Sequence, residues 1–186
     1  FEKSQGIEGI SDIDIVLIVN LLEKQVFDNI IEKFSILGEK IRSNFGYSVI
    51  INSTFGPLKF NETKTIVFHI MIYDCNGHRI HCLKSPFTCM DWQLSNIVFR
   101  RSIDEIFAVR KLMPCDFFNA RRGIQDYISD ITRGSISYRE YDFQENPPIE
   151  VKKEKPMENK DLFDFSYHIM KFCMKNFLKL HYLENL

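Results

Sequence analysis

The apolar run Ile13-Asp14-Ile15-Val16-Leu17-Ile18-Val19 is short and β-branched, the pattern of a strand covered on both faces, and it predicts a central strand. From Glu23 to Phe45, Val26, Phe27, Ile30, Ile31, Phe34, Leu37 and Ile41 recur at spacings of three and four, and Gly46 follows, so an amphipathic helix is expected there. Tyr47 to Ile51 and Thr65 to Tyr73 return to β-rich sequence on either side of the polar break Asn61 to Lys64. Both runs are expected to pair with the first strand. Asn76-Gly77, flanked by Ile72-Tyr73 and Arg79-Ile80, fits the tight turn of a short hairpin.

Beyond Lys84 the pattern predicts a short helix around Thr88 to Asn96 and an apolar, basic run from Val98 to Leu112 compatible with a helix. Cys115 to Thr132 carries Phe117, Phe118, Ile124, Tyr127, Ile128 and Ile131 at helical spacing and stops at Arg133-Gly134. The stretch 134–160, with Asn146-Pro147-Pro148 and the charged run Glu150 to Lys155, reads as a long charged surface loop. Lys160 to Leu183 then gives a long helix with a broad apolar face. One strand, one long helix, more strands and then helices predict an α/β or α+β chain, with a sheet domain over 1–112 and a helical part over 113–186.

Composition narrows the function only a little. The 186 residues are 45% hydrophobic and 26% charged, with 24 Lys+Arg against 25 Asp+Glu and a net charge of -1. That is a globular composition with no global attraction to nucleic acid or to an anionic membrane. Five cysteines, an odd number in a chain of this size, predict reduced thiols and a cytoplasmic setting. No apolar run is long enough to span a bilayer, so no membrane partner is expected. Phe1 is not a Met and no charged-then-apolar leader follows it, which reads as a chain whose preceding residues are missing.

The chemistry concentrates at Gly9-Ile10-Ser11-Asp12-Ile13-Asp14. Residues two apart in a strand share a side, so Asp12 and Asp14 are expected to stand together while Ile13, Ile15, Leu17 and Val19 face the other way. Two carboxylates that close repel unless a cation lies between them, and Mg²⁺, which favours oxygen ligands and phosphate oxygens, suits the place. A pair of such ions can clamp the attacking and leaving oxygens of a phosphoryl transfer.

This segment, preceded by Gly6 and followed by an apolar strand and a helix, resembles the metal-binding motif of the DNA polymerase beta-like nucleotidyltransferase superfamily. The close resemblance covers about ten residues, and the coarser order of elements about residues 1 to 75. It implies a mixed sheet flanked by helices and a helical C-terminal part. The implied activity is transfer of a nucleoside monophosphate from an NTP to an acceptor hydroxyl or phosphate, with Mg²⁺ or Mn²⁺ on Asp12 and Asp14 and release of pyrophosphate. Ser11 would steady the triphosphate; the family's upstream Gly-Ser pair would fall before Phe1. The acceptor, whether a small molecule, an RNA end or a protein, is not identified by the sequence.

The chain departs from the family at His69, which stands where a third acid is expected. His69 could orient or deprotonate the acceptor as a general base. Asp74, of opposite parity, could supply the third ligand through a bulge, or the third ligand could be absent. The last case leaves a catalytically impaired nucleotide-binding or regulatory module of the same fold. Lys171 and Lys175, one helical turn apart, resemble a helical lysine pair that meets nucleotide phosphates, although Lys179 extends them into what could be a solvated stripe. Cys75, His78, His81 and Cys82 crowd into eight residues, which does not match structural zinc spacing. Arg100-Arg101 and Arg121-Arg122 read as surface charge, the 17 Phe residues as packing, and Trp92 as the one candidate exposed aromatic.

Overall fold

A computed structural model describes residues 12–60, 63–93 and 101–183. Among them the fold is mixed α/β, with a three-stranded sheet, a two-stranded sheet and six helices. In chain order these are β1 (Ile13–Val19), α1 (Lys24–Phe45), β2 (Ser48–Asn52), β3 (Thr65–Asp74), α2 (Cys75–Lys84), α3 (Pro86–Gln93), α4 (Ile103–Ile106), α5 (Pro114–Arg133), β4 (Ser135–Asp142), β5 (Ile149–Pro156) and α6 (Asn159–Leu183). Two compact units divide the chain, Phe1–Tyr73 with Tyr138–Lys153, and Asp74–Ser137 with Glu154–Leu186. The division therefore falls after Tyr73 and inside the β4–β5 hairpin, not at the expected boundary of 112. No helix among the described residues is long and apolar enough to cross a membrane.

In the first unit the strand order is β1-β3-β2, so β3, not β1, is central, and β2 neighbours β3 alone. The reason is visible in β3 itself, which buries Phe68, Ile70 and Ile72 on one face and Val67, Met71 and Tyr73 on the other. The first face joins Leu22 in a core covered by Phe27, Ile30, Ile31, Phe34 and Ile41 of α1, with Ile15, Leu17 and Val19 of β1 packed against it. On Tyr73 the Phe55 ring lies 5.2 Å away, and Phe55 in turn meets Tyr141 edge-on at 5.1 Å. The Tyr141 hydroxyl donates to the Ile72 carbonyl at 2.9 Å. β2 runs parallel to β3, with Ser48 opposite Thr65 and Asn52 opposite His69.

In the second unit Asp74 starts a helix where a hairpin was expected at Asn76-Gly77. Its carboxylate accepts the Gly77 N–H at 2.6 Å, which satisfies an amide left open at the helix start. His78 and Cys82, one turn apart, are then both buried. Of the run from Val98 to Leu112, only Ile103–Ile106 is helical among the described residues. Asp116 is fully buried near the start of α5, held by both arms of Arg110 at 2.8 and 2.9 Å and by the Met113 N–H at 2.7 Å. The guanidinium keeps its carboxyl below the usual carboxylate range, against the opposing pull of burial.

α5 ends at Gly134, whose φ of 67° is left-handed. Buried Asp130 ties the exit by accepting from Arg133 and from the Ser137 N–H and hydroxyl. The stretch 134–160 is accordingly not a loop. Ile136, buried on β4, anchors the segment in a hairpin, while most of the charges of β5 are exposed. α6 packs on α5 through the Tyr127 ring, which lies 5.3 Å from Phe165 and 6.2 Å from Phe172.

α1 lies close on β2 at Gly38, where a Cβ would sit 3.2 Å from Val49 Cβ and Cγ1. Gly38→Leu should therefore destabilise the chain by about 1–3 kcal/mol through overpacking, measured by chemical denaturation, while Gly38→Ala, which gains helix propensity, should cost much less.

Candidate acidic site at the start of the first strand

Asp12 and Asp14 leave β1 on the side opposite Ile15, Leu17 and Val19, as their parity requires. They meet different surroundings. The Asp12 side chain is 6% exposed and lies 2.5 Å from the ammonium of Lys59, in the loop between β2 and β3. The Asp14 side chain is 63% exposed and sits 2.8 Å from His69 Nδ1. Each acid thus has a basic side chain as its partner.

His69 is held at both ring nitrogens. Its Nε2 lies 2.9 Å from the Thr54 carbonyl, which can only accept, so Nε2 carries a proton. Its Nδ1 faces Asp14, and it donates to that carboxylate, which also accepts, when the ring is protonated. Burial pulls the proton affinity of the ring down. The hydrogen bonds to Asp14 and to the Thr54 carbonyl, with the charges of Asp14 and Asp12, outweigh it and leave the pKa above its ordinary 6.5. These contacts favour the protonated ring, and in that form His69 has no lone pair left to take a proton or to ligate a metal. The protonated form does not serve as the general base that the sequence leads one to expect.

The support for His69 comes from β2. Asn52, opposite it in register, is buried and accepts from both the Thr54 N–H (3.1 Å) and the Thr54 hydroxyl (2.7 Å). This fixes the turn whose carbonyl holds Nε2. Among the described residues the buried Asn52 Nδ2 finds no hydrogen-bond partner, on the sheet face that His69 occupies.

No protein-family model, curated protein or solved structure matches this chain.

Of the remaining candidates, Asp74 is grouped with the second unit, where its carboxylate caps α2 by accepting the Gly77 N–H. Lys171 and Lys175 also lie in that unit, on α6. Lys171 is exposed, whereas Lys175 approaches Asp91 of α3 at 3.8 Å. Lys179, the third of the series, bonds the Phe87 carbonyl at 2.7 Å and Asp91 at 2.9 Å, which makes it an anchor between α6 and α3. Trp92 is not an open platform, since it stacks on His81 at 5.0 Å. Ser11 and Arg100 lie outside the described residues, as do the side chains of Arg121 and Arg122. Among the described residues, no three or more His, Cys, Asp or Glu side chains are grouped to hold a metal ion.

The sequence reading missed Lys59, Thr54 and Asn52. A polar residue at the end of an apolar strand was the one available signal for Asn52, and nothing local marks a lysine that meets an aspartate 47 residues away.

The stability contributed by His69 has a definite sign. The folded protein holds this proton more tightly than the unfolded chain, so the contribution is complete below about pH 6.5 and is lost as pH rises through the elevated value. Melting temperatures followed upward from about pH 6 should fall in wild type and fall less in His69→Gln. A wild-type profile parallel to that of the variant would contradict the bound imidazolium. Lys59→Ala, which strands a nearly buried Asp12, should cost about 1–2 kcal/mol, less than a fully buried pair because the lysine is partly solvated.

Proposed function

We propose that this chain is a nucleotidyltransferase-like module that binds a phosphate-bearing ligand, a nucleotide in the first instance, without carrying out metal-dependent transfer. The observation that carries this reading is His69 held between two acceptors. The position that the resemblance assigns to a third acid is taken by a cation. Lys59 neutralises Asp12 and His69 neutralises Asp14, so the repulsion that would draw Mg²⁺ between the two acids is already relieved from within. The donor set does not fit a pair of catalytic ions, which require several oxygen ligands and repel both of these cations.

Ligand affinity is a separate matter from turnover. The unsatisfied Asn52 Nδ2 offers a buried donor on the side of the sheet that carries His69, and an acceptor oxygen from a phosphate or a base would satisfy it. A module of this kind regulates or presents, and its binding would not depend on a divalent ion.

The test is calorimetric titration with a non-hydrolysable NTP, with Mg²⁺ and with chelator, beside a pyrophosphate-release assay over all four NTPs. Binding of similar strength in both buffers is expected, with no pyrophosphate from wild type. The double variant His69→Asp, Lys59→Ala, which replaces both cations and restores a third acid, should make NTP binding at least about tenfold tighter with Mg²⁺ than with chelator. Mg²⁺-dependent pyrophosphate release by wild type, lost in Asp12→Asn, would overturn the proposal and return the chain to the transferases.

A further inference from the structure

α6 is apolar on two faces. One carries Phe165, His168, Phe172 and the buried Asn176, and Tyr127 of α5 packs against its three rings. The other carries Phe163, Tyr167, Met170, Met174 and Phe177, and these side chains are between 58% and 76% exposed. A helix that is apolar on two sides is ordinarily buried on two sides.

The spacing of the exposed set is specific. Phe163, Tyr167, Met170, Met174 and Phe177 follow one another at intervals of four, three, four and three, which is the seam of a helix pair packed knobs into holes. A patch of scattered surface apolar residues has no such period. Taking about 200 Å² for a complete aromatic side chain and slightly less for methionine, the seam exposes on the order of 650 Å² of apolar surface. That exceeds what a monomer usually leaves open and approaches the ~800 Å² that each partner contributes to a stable interface.

We propose that this seam is a self-association surface, on which α6 of a second copy of the chain packs antiparallel across a twofold axis. Self-complementarity selects the second copy. In the antiparallel register that places Phe163 against Met174 of the other copy, Tyr167 falls against Met170, and twofold symmetry repeats both pairs. Every central layer then sets a thioether against an aromatic ring, a favourable contact. In that same register Asp164 and Lys171 occupy flanking positions between the same two layers, where opposite charges meet across an antiparallel pair. The four central layers need no other partner, Phe177 falls at the rim opposite Lys160, and a twofold pair of this kind closes on itself without leading to filaments. Lys171, exposed on α6, acquires a place as a register-setting charge.

Sedimentation of the 186-residue chain over a range of micromolar concentrations is the direct test. A concentration-dependent dimer is expected. Met174→Glu should weaken it at least about tenfold, because the seam would then bury an unpaired carboxylate, while helical content and melting behaviour of the monomer stay as in wild type. Lys171→Glu, on the flank and remote from packing, should weaken it less, with the loss growing at low salt. Exposed Phe45 of α1 provides the control, and Phe45→Ser should leave the dimer unchanged. A wild-type chain that stays monomeric throughout, including one whose seam captures a different helix, would overturn the proposal. So would a dimer that Met174→Glu leaves intact.

Discussion

A polar side chain in a strand buried on both faces must find partners for each of its polar atoms. His69 is the only polar residue between Ile66 and Tyr73, and the strand around it is covered on one side by α1 and on the other by Phe55 and its neighbours. Its two ring nitrogens are satisfied by a backbone carbonyl and a carboxylate, both acceptors, and that choice favours the protonated ring. The state of the acidic pair, the position of the Thr54 turn and the use of Asn52 all follow from this requirement. Chemistry at the start of β1 is thus set by packing in the middle of the sheet.

The electrostatic consequence is a closed set of charges. Two carboxylates close together demand compensation, and here it comes from side chains built into the fold rather than from an exchangeable ion. Lys59 and His69 meet that demand with side chains whose own geometry is fixed, one on a loop tied to a buried carboxylate and the other in a strand core. The same two acids with an acid at position 69 would have excess negative charge and a use for divalent ions. One residue on β3 decides between these outcomes, which is why a likeness confined to the β1 motif does not determine the chemistry.

Much of the fold was legible from period alone. β1, α1, β3, α5 and α6 each bury a continuous face, and their apolar spacing announces it. Two readings failed because a local signal was outweighed. Asn76-Gly77 is a good hairpin turn in isolation, yet Asp74 can cap a helix three residues on, and burial of His78 with Cys82 adds to that alternative. The charged stretch after Gly134 looked unable to pack, but a hairpin needs little burial when Asp130 and the Gly134 carbonyl fasten its base. The centrality of β1 was misjudged because an apolar strand at an edge, covered by a helix, reads like one in the middle. Asp12 and Asp14 were visible as a pair, whereas Lys59 was not, since a contact spanning 47 residues leaves no trace in local sequence.

The first unit is assembled from two separate stretches of chain, with Tyr138–Lys153 returning to it after the intervening residues have gone to the second. Tyr141 and Phe143 in that returning stretch pack on Phe27 of α1, and Tyr141 also bonds the end of β3. During synthesis the stretch up to Tyr73 therefore emerges without part of its aromatic cover and waits for it while the next 64 residues are made. A fragment cut after β3 would carry the whole three-stranded sheet and still lack a wall, and its solubility would suffer accordingly. The order in which this protein can be taken apart, or expressed in pieces, is governed by that return.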